Sequence, residues 1–225
     1  MIEVEYLDHM GDDLATVDAA RVSYNKTSRW EYTDWRDSDD KLRKKVLSKS
    51  DTSLINYLAD HQHSSPFGHS YAKFRVKAPV FVARQLVKHK FLRWNEVSRR
   101  YVDDDPEFYK PVLREAVSNK KQGSGCPINN HLLDAVIEQA GIEAAKQYRY
   151  LLKVGVCEEQ ARSVLTLNHM TTWIWSGSLD ALANMCRLRC APDTQAETRM
   201  VANKISEKMY ELFPVSWRAL VYGDK

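Results

Sequence analysis

The densest chemistry in the sequence lies in one stretch, Arg84-Gln85-Leu86-Val87-Lys88-His89-Lys90-Phe91-Leu92-Arg93-Trp94-Asn95-Glu96-Val97-Ser98-Arg99-Arg100-Tyr101. From Lys88 to Tyr101 it holds five Lys/Arg and one acid. On a helix, Arg84 and Lys88 sit four apart and share a face, with Gln85 beside them. Such a face leading into a polar loop can hold a phosphate by charge-assisted hydrogen bonds. Charge alone is equally served by a solvated basic face. Asn95, Glu96 and Ser98, however, add donors and acceptors suited to a base or sugar, and Asp103-Asp104-Asp105 offsets the charge nearby. The combination points to a pocket for an anionic nucleotide rather than a groove for a polymer.

Two further clusters could join it. His61, His63 and His69 fall within His61-Gln62-His63-Ser64-Ser65-Pro66-Phe67-Gly68-His69. His61 and His63 could face one way on a strand, but a turn at Pro66 separates them from His69 and there is no His-Glu-x-x-His pattern, so no metal is expected. Histidines hydrogen-bonded around a turn, or lining a cofactor pocket, fit better. Arg187 and Arg189 cannot both face the same way at a helix end, and an inward guanidinium presents a planar fork to an acceptor. For Arg189 an ion pair with Glu197 or Asp193 is the competing reading. A cysteine nucleophile at Cys126, in the flexible Gly123-Ser124-Gly125-Cys126-Pro127 loop, is a weaker route, since only Lys120 and Lys121 are near to activate it.

The elements that must position these residues are read from periodicity. Ile2, Val4 and Tyr6 alternate with Glu3 and Glu5 as in a half-buried strand. The charged stretch Ser28 to Lys49 has weak periodicity and reads as an insertion or a mobile surface region. Asp51-Thr52-Ser53 caps a helix ending near His61, and Ser64 to Gly68 form a turn. Phe74, Val76 and Ala78 alternate with Lys73, Arg75 and Lys77 as a second strand. Pro79 opens a helix running to about Lys90. Leu132 to Leu152 trace a long amphipathic helix stopped by Gly155. Glu158 and Glu159 begin another, Thr171 to Ser176 form a strand, Ser178 caps a helix through Arg189, and Gln195 to Phe213 give a last helix ended by Pro214. Two to four strands with abundant helix predict an α+β fold, a single domain over residues 1–225 on an antiparallel sheet flanked by helices.

Composition bounds the function. The 225 residues are 44% hydrophobic and 28% charged, the balance of a soluble globular protein. The apolar run Ala78 to Ala83 is too short to span a bilayer, and the N-terminal residues do not form a signal peptide, so a cytoplasmic protein without a membrane partner is expected. A net charge of +3 is too small for a dedicated nucleic-acid binder. The four cysteines show no metal-site or redox spacing and read as reduced thiols.

Lys88-His89-Lys90, seven residues, then Ser98, with Asn95-Glu96-Val97-Ser98-Arg99-Arg100-Tyr101, resembles the signature of flavin-dependent thymidylate synthases, which carry Arg-His-Arg at the start. Ala19-Ala20-Arg21-Val22-Ser23, His63-Ser64-Ser65-Pro66-Phe67-Gly68-His69, Val76 to Gln85, Ala161-Arg162, Leu188-Arg189, Gln195 and Glu197 follow the family's order over nearly the whole chain. The resemblance implies an antiparallel sheet flanked by helices in a homotetramer with FAD between subunits. It implies reductive methylation of dUMP to dTMP with methylenetetrahydrofolate (the folate partner) and a reduced nicotinamide, NADPH. It also implies nucleotide contacts by Gln85, Lys88, Glu96, Ser98, Arg100, Arg162 and the catalytic Arg189, and flavin contacts by His63, Ser65, Lys88, His89, Lys90, Glu96 and Asn184. Lys88 and Lys90 replace arginines, Gly68 replaces an acid, Thr166 a proline, and Ser178 and Asp180 stand where an Asn and an Arg usually contact FAD. A related folate-dependent pyrimidine nucleotide hydroxymethylase and a non-catalytic nucleotide-binding homologue are the alternatives.

Overall fold

A computed structural model describes residues 1–37, 40–118 and 123–223. In chain order the elements are β1 (Glu3–Met10), α1 (Asp13–Arg21), β2 (Glu31–Asp37), β3 (Asp40–Val46), α2 (Lys49–Asp60), β4 (Tyr71–Pro79), α3 (Val80–Leu86), β5 (Leu92–Glu96), α4 (His131–Lys153), α5 (Glu158–Ala161), β6 (Met170–Ser178), α6 (Leu179–Arg189), α7 (Ala196–Leu212) and α8 (Pro214–Trp217). The expected α+β architecture is present: an antiparallel sheet in the order β1-β4-β6-β5, with helices packed on it.

Alternation on β4 sends Phe74, Val76 and Ala78 into the core and leaves Lys73, Arg75 and Lys77 on the other face. β6 contributes Trp173 and Trp175 to the same core, where they meet Leu179 and Leu182 of α6, Val201, Ile205 and Met209 of α7, and Ile55 of α2. Trp94 of β5 stacks on Trp173 with ring centroids 4.4 Å apart and sits edge-on to Trp175 at 5.7 Å. Each such pair adds about 0.5–1.5 kcal/mol beyond area burial, so the tryptophans hold a five-residue strand that has little else to bury. Gly177 opposes Leu92, and a Cβ there would come within 2.2 Å of Leu92 Cδ2. The bare backbone lets β5 begin where it does.

The structure corrects several expectations. The helix after Pro79 ends at Leu86 rather than near Lys90, and Pro79 is its N-cap rather than its first residue. The chain must reverse to enter β5 beside β6, and it does so through Phe91 in the left-handed region at φ 64°, which no α-helix continues through. Lys88-His89-Lys90 therefore lies on a turn, and Arg84 and Lys88 do not share a helical face. The stretch from Ser28 to Lys49 contains the β2–β3 hairpin, paired from Glu31↔Val46 to Asp37↔Asp40, and the start of α2. Glu31, Tyr32 and Thr33 are exposed, so this ladder needs no apolar alternation to form. α2 starts at Lys49, three residues before Thr52, because Ser48 Oγ accepts from the Asp51 amide (3.1 Å) and donates to the Asp51 carboxylate (2.8 Å). His61 is the C-cap of α2, not part of a strand. Ser178 occupies the N-cap of α6 without a side-chain capping bond.

α1 has no counterpart among the expected elements, since its buried positions are Asp13, Thr16 and Val17 rather than an apolar stripe. The burial of Asp13 has a purpose: its carboxylate accepts from the amides of Val215 (2.9 Å) and Ser216 (2.8 Å), capping α8 across the molecule. Burial raises the Asp13 carboxyl above the usual carboxylate range, while these hydrogen bonds from Ser216 and Val215 oppose the shift. Asp13→Ala leaves two amide donors without their partner and should cost roughly 2–3 kcal/mol in urea unfolding, with activity per folded molecule retained.

Candidate active site

The turn after α3 is fixed from both sides. The His89 amide donates to Leu86 O (3.1 Å), and Leu92 then locks into register with Gly177. The half-buried His89 ring accepts a hydrogen bond at Nε2 from Arg189 Nε, 3.0 Å away. Arg189 is the last residue of α6, and the end of that helix is held by Cys190 N–H to Cys186 O (2.8 Å) and Thr194 Oγ1 to Leu188 O (3.0 Å). Burial, reinforced by the Arg189 charge, pulls the His89 imidazole down to about 4. The ring is therefore neutral at pH 7, with Nε2 free to accept. Arg189 makes this bond instead of the ion pair with Glu197 or Asp193 that the sequence also allowed.

At the other end of β5, Glu96 is held by two neighbours. Its Oε1 accepts from Thr171 Oγ1 (2.8 Å) and its Oε2 from Trp94 Nε1 (3.1 Å). It lines a cavity of about 670 Å³ together with Arg99, Arg162, His169 and Thr171. His169 Nδ1 lies 2.8 Å from Thr166 O. Burial lowers the His169 pKa, the Thr166 carbonyl opposes that shift, and the charges of Arg99 and then Glu96 act in opposite senses. Arg162 is exposed and its Nε donates to Glu159 O (3.1 Å). Ser98 Oγ accepts from the Arg100 amide (3.3 Å). Arg100 turns its guanidinium over the Tyr101 ring at 5.0 Å. Its neighbour Arg99 is the one that reaches the cavity, tied to Asp104 O (2.8 Å) and lying 5.7 Å from the Tyr148 ring centroid.

The remaining sequence-assigned residues fall elsewhere on the chain. His63 and Asn184 line a second cavity of about 310 Å³ with Gln62, Ser64, Asp180 and Arg187, and Asn184 Oδ1 accepts from Arg187 Nη2. Ser65 is exposed and begins a 3₁₀ turn whose Pro66 and Phe67 are buried. Gln85 of α3 donates to Gln195 Oε1 and accepts from Thr198 Oγ1 (3.2 Å) beside a third cavity of about 480 Å³ that includes Arg114 and Glu197. Lys88 and Lys90 are exposed. Within one chain Glu96 with Arg162, His63 with Asn184, and Gln85 open on three separate cavities, while His89 and Arg189 meet each other between the turn before β5 and the end of α6.

The family model for the thymidylate synthase complementing protein matches residues 5–215. The chain belongs to that family. It is 38% identical over 218 residues to the flavin-dependent thymidylate synthase of Thermus thermophilus, covering 96% of this chain and 74% of that one. The flavin-dependent thymidylate synthase of Rickettsia prowazekii is 32% identical over 235 residues, with the same two coverages. Among solved structures, the UMP/dUMP methylase PolB from Streptomyces cacaoi, bound with 5-Br dUMP, superposes with a TM-score of 0.82 at 31% identity over 99% of this chain and 95% of that one.

In this thymidylate synthase complementing protein family member, the sequence alone missed Thr171, which orients Glu96, and Arg99. Thr171 shares the parity of Trp173 and Trp175 on β6, a signal that strand alternation offers once the strand is placed. Arg99 carries no such signal, because loop geometry decides which of two adjacent arginines turns inward. Among the described residues no group of three or more His, Cys, Asp or Glu could hold a metal ion, and no helix is long and apolar enough to cross a membrane. Cys126 is exposed, and Lys120 and Lys121 lie outside the described residues.

A pH prediction follows from His89. Its folded pKa lies below the unfolded value of 6.5, so the unfolded chain takes up the proton first as pH falls. The stability contribution of the neutral ring is complete above pH 6.5 and is lost progressively as pH falls towards about 4. Ring NMR should find His89 titrating near 4, and a value near 6.5 would contradict its burial against Arg189.

Proposed function

We propose that the chain is a flavin-dependent thymidylate synthase that reductively methylates dUMP to dTMP, with methylenetetrahydrofolate as carbon donor and NADPH as the reductant. The observation that carries this reading is the hydrogen bond joining His89 to Arg189 across a hundred residues. It unites the basic signature turn with the one guanidinium expected at the base. Residues 1–225 then act as a single synthase domain.

The donor set fits FAD. His63, Ser64, Asn184 and Arg187 gather donors and one cation around the second cavity, and the exposed Lys88 and Lys90 add positive charge on the turn. This is the chemistry that a diphosphate and a polar heteroaromatic ring require. In this reading His63, Ser65, Lys88, His89, Lys90, Glu96 and Asn184 hold the flavin, which when bound supplies the redox chemistry. Asp180 in the same lining would repel a phosphate.

The protein's own contribution is electrostatic and positional. Uracil C5 is a poor nucleophile, so the ring must become electron-rich. Arg189 faces the uracil edge and stabilises the N3-deprotonated anion as charge develops. Glu96, fixed by Thr171 and Trp94, and Gln85, fixed by Gln195 and Thr198, orient the nucleotide. Lys88, Ser98, Arg100 and Arg162 bind it as well, the cations with Ser98 meeting the phosphate. The separation of Glu96 with Arg162, of His63 with Asn184 and of Gln85 into three cavities, with Leu132 79% and Val136 63% exposed on α4, supports a homotetramer in which neighbouring subunits complete each site. A cytoplasmic location suits the four free cysteines.

The test is direct. Purified protein should show an oxidised isoalloxazine absorbance band and, given FAD, NADPH, methylenetetrahydrofolate and dUMP, yield a product heavier by CH2. A gain of CH2O would indicate a hydroxymethylase. A colourless protein that takes up no FAD would favour a non-catalytic nucleotide-binding homologue. UMP belongs in the same assay, because the superposed PolB is a UMP/dUMP methylase. Arg189→Ala should lower turnover by about 100-fold or more, the loss typical of one preorganised donor, while FAD absorbance is kept. Undiminished turnover would remove Arg189 from the reaction.

A further inference from the structure

The bond between Arg189 and His89 has a direction. A guanidinium keeps all its protons at any accessible pH, so Arg189 Nε can only donate. At 3.0 Å from Nε, His89 Nε2 must therefore carry a lone pair, which places the ring proton on Nδ1. Pinning Nε fixes the rotation of the guanidinium plane. It leaves the Nη1 and Nη2 edge, which makes no hydrogen bond or ion pair among the described residues, as a fork for a planar acceptor. The supports on either side are stiff. His89 sits in a reversal held by Leu86 O, the left-handed Phe91 and the Leu92–Gly177 register. Arg189 ends a helix whose last carbonyls are bonded by Cys190 and Thr194. Both side chains are half-buried, unlike two long surface side chains meeting by chance.

We propose that His89 is a positioning residue: as an uncharged acceptor it holds Arg189 through Nε so that the Nη edge faces the uracil ring. This rests on the reading of Arg189 as the uracil-facing cation, and it gives His89 a function separate from touching flavin. A histidine between two lysines is then the side chain that the turn needs, since a cation at position 89 would repel Arg189 whereas the imidazole orients it.

The experiment compares His89→Leu, which removes the acceptor, with His89→Gln, whose amide oxygen can take the place of Nε2. Each is titrated with FAD by absorbance before kinetics, which also confirms that the variant is folded. Since His89 also contacts the flavin in the proposed function, both variants should lose FAD affinity to a similar, modest degree, and kinetics are compared at saturating FAD. For His89→Leu, kcat should fall roughly 10- to 100-fold, the span of one hydrogen bond to a charged group, with little change in KM for dUMP. His89→Gln should recover most of that loss, and adding His89→Leu to Arg189→Ala should cause no further loss. Ring 15N NMR of the wild-type protein should show the Nδ1-protonated tautomer. Loss of FAD binding in His89→Leu with normal turnover at saturating FAD would overturn the proposal. A Gln variant as slow as the Leu variant, or additive losses in the double variant, would do the same. If Arg189→Ala itself turns over normally, the reading of Arg189 fails. If Arg189→Ala is inactive and His89→Leu is normal, the positioning role alone fails.

Discussion

The signature turn and Glu96 are referred to one seating: β5 lying antiparallel along β6, with Trp94 stacked on Trp173 and Leu92 over Gly177. Five residues at a rise of about 3.3 Å put the two ends of β5 roughly 13 Å apart. At the first end lies the turn carrying Lys88, His89 and Lys90, and at the second lies Glu96, followed by Ser98. The seven-residue gap in the signature is therefore mostly this strand. It holds the two halves of the motif at a fixed separation.

β6 sets the same frame on its other side. It pairs with β4, carries Thr171 to Glu96, and passes directly into α6, whose last residue is Arg189. His89 and Arg189 are thus brought together by one strand and the helix that continues from it. Aromatic packing supplies the rigidity that the polar groups exploit, because a hydrogen bond worth about 1 kcal/mol net cannot by itself order two loops.

The electrostatics follow from burial. The stretch is rich in cations, yet its one histidine is kept neutral by burial and by the neighbouring Arg189 charge. Glu96 is satisfied by a hydroxyl and an indole N–H instead of an arginine, so Arg99 and Arg162 share its cavity without being consumed by it.

Much of this was legible in the sequence. The alternation of β4, the long period of α4 and the span of α7 after Gln195 follow from side-chain burial, which repeats locally. The residue types of the signature named the chemistry, since only certain groups can bind phosphate or polarise a pyrimidine. The β2–β3 hairpin, α1 and the early end of α3 were not legible. Exposed ladders and polar-capped helices leave no apolar period, and the reversal at Phe91 is imposed by a strand more than seventy residues later. The sequence alone determined which charges and donors the protein has. Only the tertiary structure decided that Arg189 points at His89, that Arg99 rather than Arg100 lines the cavity, and that Glu96, His63 and Gln85 face three different openings. The physical reason is that the direction of a side chain depends on which distant backbone its own is packed against.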